Sequence, residues 1–176
     1  MPKSSKEEVI QSENIVLKEL KKNASKSIDA IAKDHNFSRQ KVWRIKKQLE
    51  DNRTIWGYSA VINEEKRGFN NYIVLIQRNT ASLDEQVAER LIQGKIQQIL
   101  PDNPDVHIES IFMVYGEYDW ILSLYAKDIK EVKKFCSSLT LACQGCIEHI
   151  RFVETMFAVM KNWILNPEAK KLKELI

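Results

Sequence analysis

The chain has 176 residues with 27 Lys/Arg against 24 Asp/Glu, a formal charge of +3, which suits one compact unit with a small appended module and excludes two large domains. No stretch approaches the roughly 18 consecutive apolar residues of a membrane span, and the opening Met1 to Glu8 is polar with no apolar signal core. The expectation is therefore a cytoplasmic chain with no membrane partner, and three cysteines exclude a disulfide framework.

The positive charge is concentrated at one end. Residues 1–63 hold thirteen Lys/Arg against eight Asp/Glu, and residues 64–176 hold fourteen against sixteen. A phosphate-binding module joined to a near-neutral partner domain gives this asymmetry.

Ser5-Lys6-Glu7-Glu8 fits a capping box, in which hydroxyl and carboxylate satisfy each other's orphan backbone donors. It opens a first helix with Val9, Ile15, Val16, Leu17 and Leu20 on the apolar face, ending at Lys21-Lys22-Asn23, where cations suit the negative helix end. Ser27 is an N-cap for a short second helix through Ile28, Ile31 and Ala32 to about Asp34, with Asp29 in its first turn. His35-Asn36-Phe37 make a tight reversal, for which Asn36 tolerates the left-handed conformation. Ser38 caps a third helix to about Asp51 with Val42, Ile45 and Leu49 inward. Thr54 to Ile62 is β-branched and aromatic and predicts a strand. Asn63 to Asn71 is a polar connection holding Gly68, and the domain boundary is placed there.

The remainder alternates strand and helix patterns. Tyr72 to Arg78 predicts a strand, Leu83 to Leu100 a long helix broken by Pro101 and Pro104, and Val106 to Tyr115 and Trp120 to Ala126 two strands joined by Gly116-Glu117-Tyr118-Asp119. Ile129 to about Cys143 predicts a helix, Ile147 to Met160 a long strand, and Asn166-Pro167 the start of a short final helix. The order is β-α-β-β-α-β, a ferredoxin-like arrangement with two helices on one sheet face. The expected fold class is α+β: a winged-helix-like helix-turn-helix domain over 1–63, a linker over 64–71, a βαββαβ domain over 72–165 and a terminal helix over 166–176.

In a helix-turn-helix the second helix of the motif enters the major groove, where each base pair shows its own donor and acceptor pattern. With Val42, Ile45 and Leu49 inward, the outward arc carries Arg39, Gln40, Trp43, Arg44 and Lys47. Arg pairs bidentately with guanine and Gln with adenine, while Lys41, Lys47, Arg53 and the amide ends at Ser27 and Ser38 suit phosphates. A solvated basic helix face is the competing reading of that arc. Trp43 is expected to pack at the domain edge rather than read bases.

The sequence resembles the Lrp/AsnC (feast/famine) transcription regulators over roughly residues 12–161. Leu17, Ala32, Phe37-Ser38, Val42, Leu49 and then Ile55-Trp56-Gly57-Tyr58 fall at that family's spacing, and Val114-Tyr115-Gly116-Glu117-Tyr118-Asp119-Trp120-Ile121-Leu122 resembles its Gly-x-x-Asp turn and following strand. Glu154-Thr155, Val159 and Lys161 resemble its last strand. The resemblance implies dimers built through the C-terminal sheets, further association to octamers, binding of double-stranded DNA, and a small amino-acid-like effector between dimers. Carried over here, that effector site is Gly116, Tyr118 and Asp119, with Thr155 as a wall. The chain departs from the family at Arg53, where a Gly usually ends the recognition helix, at Ile45-Lys46, one place out of phase, and at Val153.

A plain hairpin, with Gly116 supplying a positive backbone angle and Asp119 capping its own turn, competes with the effector site. Cys143-x-x-Cys146, with Cys136 and His149 nearby, admits a zinc or thiol-switch reading beside the default of idle buried thiols. No Ser/His/Asp set, paired carboxylates or Gly-rich phosphate loop occurs, and His35, His107 and His149 are scattered. No cofactor, metal site or catalytic residue is therefore expected. The two alternatives kept open are an enzyme resembling the sirohaem decarboxylases, which share both domains with the family, and an effector-independent global DNA organiser.

Overall fold

The computed structural model describes residues 6–95, 105–143 and 145–174. The chain forms two compact units, one of Met1–Ile62 with Ala158–Ile176 and the other of Asn63–Phe157.

The first unit starts with α1 (Lys6–Lys22), α2 (Ile28–Asp34) and α3 (Arg39–Asp51). Each later start is fixed by a serine. The Ser27 hydroxyl accepts from the Ala30 amide at 3.1 Å and the Ser38 hydroxyl from the Lys41 amide at 3.1 Å, so both satisfy orphan donors of a first helical turn. The expected capping box begins at Ser5, outside the described residues. Asn36 adopts φ +54, the left-handed step that lets α3 reverse over α2. Val16, Leu20, Ile31, Ala32, Val42, Ile45 and Leu49 make the core, with Leu17, Phe37 and Ile55 packed against it.

The strand expected over Thr54–Ile62 does not form. Arg53 at φ +61 ends α3, and the Ile55 amide donates back to the Leu49 carbonyl at 2.9 Å. Ile55 thus closes the helical core, and among the described residues no strand pairs with the stretch beyond it. A lone extended segment has no ladder to hold it.

The second unit opens with a 3-10 turn at Glu64–Arg67, followed by β1 (Asn70–Arg78), α4 (Glu85–Ile92), β2 (His107–Met113), β3 (Trp120–Ala126), α5 (Ile129–Ala142) and β4 (Ile147–Glu154). The antiparallel sheet has the order β2-β3-β1-β4, which is the expected split βαβ topology. Alternation sends Tyr72, Val74, Ile76, Trp120, Leu122 and Leu124 to one face, where they are buried with Val132, Phe135 and Leu139 of α5. Val87 and Leu91 of α4 pack on the same cluster. The opposite face presents Ile73, Leu75 and Ile121, with Phe112 and Val153 more than half exposed.

Two elements are shorter than their patterns predict. The helix expected to reach Leu100 ends at Ile92, because Gly94 takes φ +67 and the Lys95 amide reaches the Arg90 carbonyl at 2.8 Å, a left-handed C-terminal closure. Residues 96–104, with Pro101 and Pro104, lie outside the described residues. The strand expected to run from Ile147 to Met160 ends at Glu154, which pairs with Tyr72. β1 begins only two residues before Tyr72, so it cannot extend the β1–β4 ladder past Thr155.

Beyond β4 the chain rejoins the first unit and forms a separate hairpin there, β5 (Met160–Lys161) and β6 (Ile164–Leu165). Asn166 bolts its base: its amide donates to the Val159 carbonyl and its side chain to the Ala158 carbonyl, both at 2.9 Å. The expected final helix is a 3-10 helix, Ala169–Glu174.

Candidate functional site

The surface of α3 follows from its core face. Val42, Ile45 and Leu49 are buried, and Arg39, Gln40, Trp43, Arg44 and Lys47 are all exposed on the opposite arc. Ile45 is inward although it stands one place out of the family phase, and Lys46 beside it is half-buried, 3.7 Å from Glu50 and over the Tyr58 ring.

The basic side chains differ in how far they are engaged. Arg39 Nε lies 3.3 Å from Asp29 of α2, an exposed pair of little worth that a phosphate or base edge can displace. Lys41 is half-buried with Nζ 4.1 Å from the Phe37 ring centre, and Lys47 lies over the Trp43 ring at 5.2 Å. Trp43 is half exposed and belongs to the cationic surface rather than to the packed core. Arg53 is exposed just past the helix end.

The frame beneath this arc is held by a charge cluster that the sequence did not single out. Lys26 pairs with Glu19 of α1 and with Asp34 of α2 at 2.6 Å, and His35 Nε2 sits 3.4 Å from Glu19. Hydrogen bonding to Lys26 holds both the Glu19 and Asp34 carboxyls below their ordinary values, and the same contacts, Asp34 first, hold the Lys26 ammonium above its own. Tyr58 gives a second brace: its hydroxyl donates to Glu50 of α3 at 2.8 Å, and burial, then the Glu50 carboxylate, pushes its pKa up to about 12.

In the second unit the residues carried over for an effector do not all converge. Gly116 takes φ +146 in an exposed turn. The Asp119 carboxylate accepts from the Arg78 amide at 2.7 Å, its own amide donates to the Ile76 carbonyl, and its carbonyl accepts from Val114. Asp119 therefore ties the β2-β3 turn to the end of β1, and Tyr118 beside it is half-buried. Thr155 is anchored elsewhere: its hydroxyl donates to Asn71 Oδ1 at 2.6 Å and its amide to the Asn71 carbonyl. Asn71 and Ile76 are five residues apart on β1, roughly 17 Å of strand, so Thr155 does not wall the Gly116–Asp119 turn within one chain.

Cys136, Cys143 and Cys146 are buried and unbridged. Burial pushes the Cys136 thiol up to about 11 and the Cys143 thiol up to about 12, with Cys146 adding to the latter, whereas a reactive thiol needs its pKa lowered. Among the described residues no three His, Cys, Asp or Glu side chains converge as metal ligands, and no helix is long and apolar enough to cross a membrane.

No protein-family model matches the chain, and no curated protein matches it. Solved structures do. The chain is similar to a transcriptional regulator from Neisseria meningitidis solved as an L-Met complex, at 17% identity and a TM-score of 0.66, covering 86% of this chain and 92% of that one. An AsnC family transcriptional regulator from Agrobacterium tumefaciens matches at 17% identity and TM-score 0.64, over 90% and 97% of the two chains. The leucine response regulatory protein of Mycobacterium tuberculosis matches at 18% and 0.66, over 86% and 94%. At these identities the likeness establishes the fold: this chain has the α+β architecture of the AsnC/Lrp regulators, an N-terminal helix-turn-helix followed by a ferredoxin-like domain.

Proposed function

We propose that the chain is a DNA-binding transcription regulator of the Lrp/AsnC type, that it works as a homo-oligomer, and that an amino-acid-like effector tunes it. The observation that carries the reading is the outward arc of α3, where Arg39, Gln40, Arg44 and Lys47 are exposed above a frame built from α1 and α2. In this reading Arg39, Gln40 and Arg44 meet base edges. Lys41, Lys47, Arg53 and the helix starts at Ser27 and Ser38 meet phosphates, and Trp43 lies against the backbone.

Oligomerisation is supported by the open face of the sheet. Ile73, Leu75, Ile121, Phe112 and Val153 are adjacent through the pairs Leu75–Ile121, Ile73–Val153 and Ile121–Phe112, an apolar strip of the kind that marks an interface. A second copy is the occupant, as in the dimers of the family that this chain resembles. Effector control in this reading uses Gly116, Tyr118, Asp119 and Thr155 at a site completed between copies. One of the similar structures is an L-Met complex, which supports the amino-acid class.

Mobility-shift titrations with DNA from upstream of the protein's own gene test the reading. Arg39→Ala plus Arg44→Ala is expected to weaken binding by about 2 kcal/mol or more and to lower its salt dependence. Unchanged affinity and salt slope rule out α3 as the reader. The effector is tested separately by a thermal-shift screen of amino acids: stabilisation lost in Tyr118→Ala supports the site, and no stabilisation by any of them removes it.

A further inference from the structure

The β5–β6 hairpin turns through Asn162 and Trp163, with φ +46 and +68. A two-residue turn with both central residues left-handed favours Asn-Gly, because glycine alone enters that region without steric cost. Asn162 suits the first position, but Trp163 does not suit the second, since a bulky side chain at positive φ is a true outlier. Nor does packing offset that strain. Trp163 remains 70% exposed, with its ring covered on one side by Lys21 Nζ at 5.7 Å.

The surroundings of this indole are specific. Asn162, Trp163 and Ile164 line a groove of about 930 Å³ together with Lys21 and Lys22, the last two residues of α1, and the turn Asn23–Ser25 that leads into α2. In a helix-turn-helix the helix before the reader crosses the DNA backbone. A strained, exposed aromatic and two cations thus stand beside the entry to that helix, on the same unit as α3.

We infer that the 160–165 hairpin is a wing for α3, which lays Trp163 against the deoxyribose edge of the duplex while Lys21 and Lys22 neutralise neighbouring phosphates. The inference rests on the DNA-binding reading above. The occupant follows from charge and shape: the Lys21 ammonium lies over one flat apolar ring and Lys22 lines the same groove, a pairing of cations with an exposed aromatic that suits the phosphates and sugars of a duplex strand.

Trp163→Gly tests it, because glycine removes the indole and relieves the turn together. On a random-sequence duplex pool, Trp163→Gly is expected to bind roughly fivefold or more weakly than wild type, with an equal or higher melting temperature. Trp163→Asn, also tolerant of positive φ, should do the same and guards against a folding effect. Lys21→Gln plus Lys22→Gln should lower the salt slope by about 2. If Arg39→Ala plus Arg44→Ala weakens binding while both Trp163 variants match wild type, the wing is overturned and the α3 reading stands. If wild type binds no duplex, both fall. A Trp163 variant that changes the sedimentation behaviour but not DNA affinity overturns the wing and assigns the groove to a second copy.

Discussion

The helical unit and the sheet unit solve the same problem in opposite ways. In the first, three short helices bury one apolar stripe each, and what they turn outward on α3 is cationic and polar. In the second, two helices cover only one face of a four-stranded sheet, and the other face carries an uncovered apolar strip of Ile73, Leu75, Ile121, Phe112 and Val153 among polar neighbours such as Arg151 and Ser123. Exposed Arg and Lys attract polyanions, and exposed Ile, Leu, Phe and Val favour removal from water. One chain therefore carries two outward surfaces of different chemistry, each on its own core.

That contrast is broken most sharply by damaging one core and reading the other. Phe135→Ala, deep in the sheet unit, is expected to cost about 3–5 kcal/mol by opening a cavity. The check is denaturant unfolding followed separately by DNA binding. If the helical unit keeps its fold and affinity for DNA on a single site, the two cores are independent. A next, smaller effect comes from the open sheet face. Ile121→Glu places a charge among Leu75 and Phe112 and should raise the dimer dissociation constant roughly hundredfold, about 3 kcal/mol, without unfolding the monomer. Analytical ultracentrifugation decides this, and an unchanged dimer would place the self-contact elsewhere.

The smallest effect is electrostatic and confined to the helical unit. Glu19 and Asp34 titrate below their ordinary values of 4.5 and 3.8 because Lys26 bonds to their charged forms. Their contribution is complete above those ordinary values and is lost as pH falls through the lowered ones. Lys26 is raised above 10.5, so its share is complete below that value and is lost as pH rises through the raised one. Lys26→Gln should therefore flatten the acid limb of the stability profile, with little change in affinity for DNA at neutral pH. A profile identical to wild type would show the cluster to be idle.

Most of the helix boundaries are legible in the sequence because they are local. Ser27 and Ser38 are strong caps, Asn36 suits a left-handed step, and the Val42-Ile45-Leu49 stripe has only one way to face inward. β3 and α5 are legible for the same reason, through alternation and helical spacing. The features that escape the sequence depend on partners distant along it. Thr54–Ile62 has strand residues and, among the described residues, no strand to pair with, and β4 stops at Glu154 because β1 has already begun. Thr155 follows its partner Asn71 to the far end of β1 from Asp119, a separation that no local pattern encodes. The hairpin around Trp163 begins at the expected end of the long strand from Ile147, and nothing local announces it, since Asn-Trp is not the Asn-Gly of a tight turn. Exposure of Trp43 depends on which arc of α3 the remaining helices leave open.

Whether α3 reads the duplex is decided by guanine N7 methylation protection on bound DNA, because N7 lies in the major groove, which the proposed reading assigns to α3. Wild type should protect guanines, and that protection should disappear in Arg39→Ala plus Arg44→Ala while backbone contacts persist. Protection that is absent in wild type, or unchanged in that variant, would contradict α3 as the reading helix.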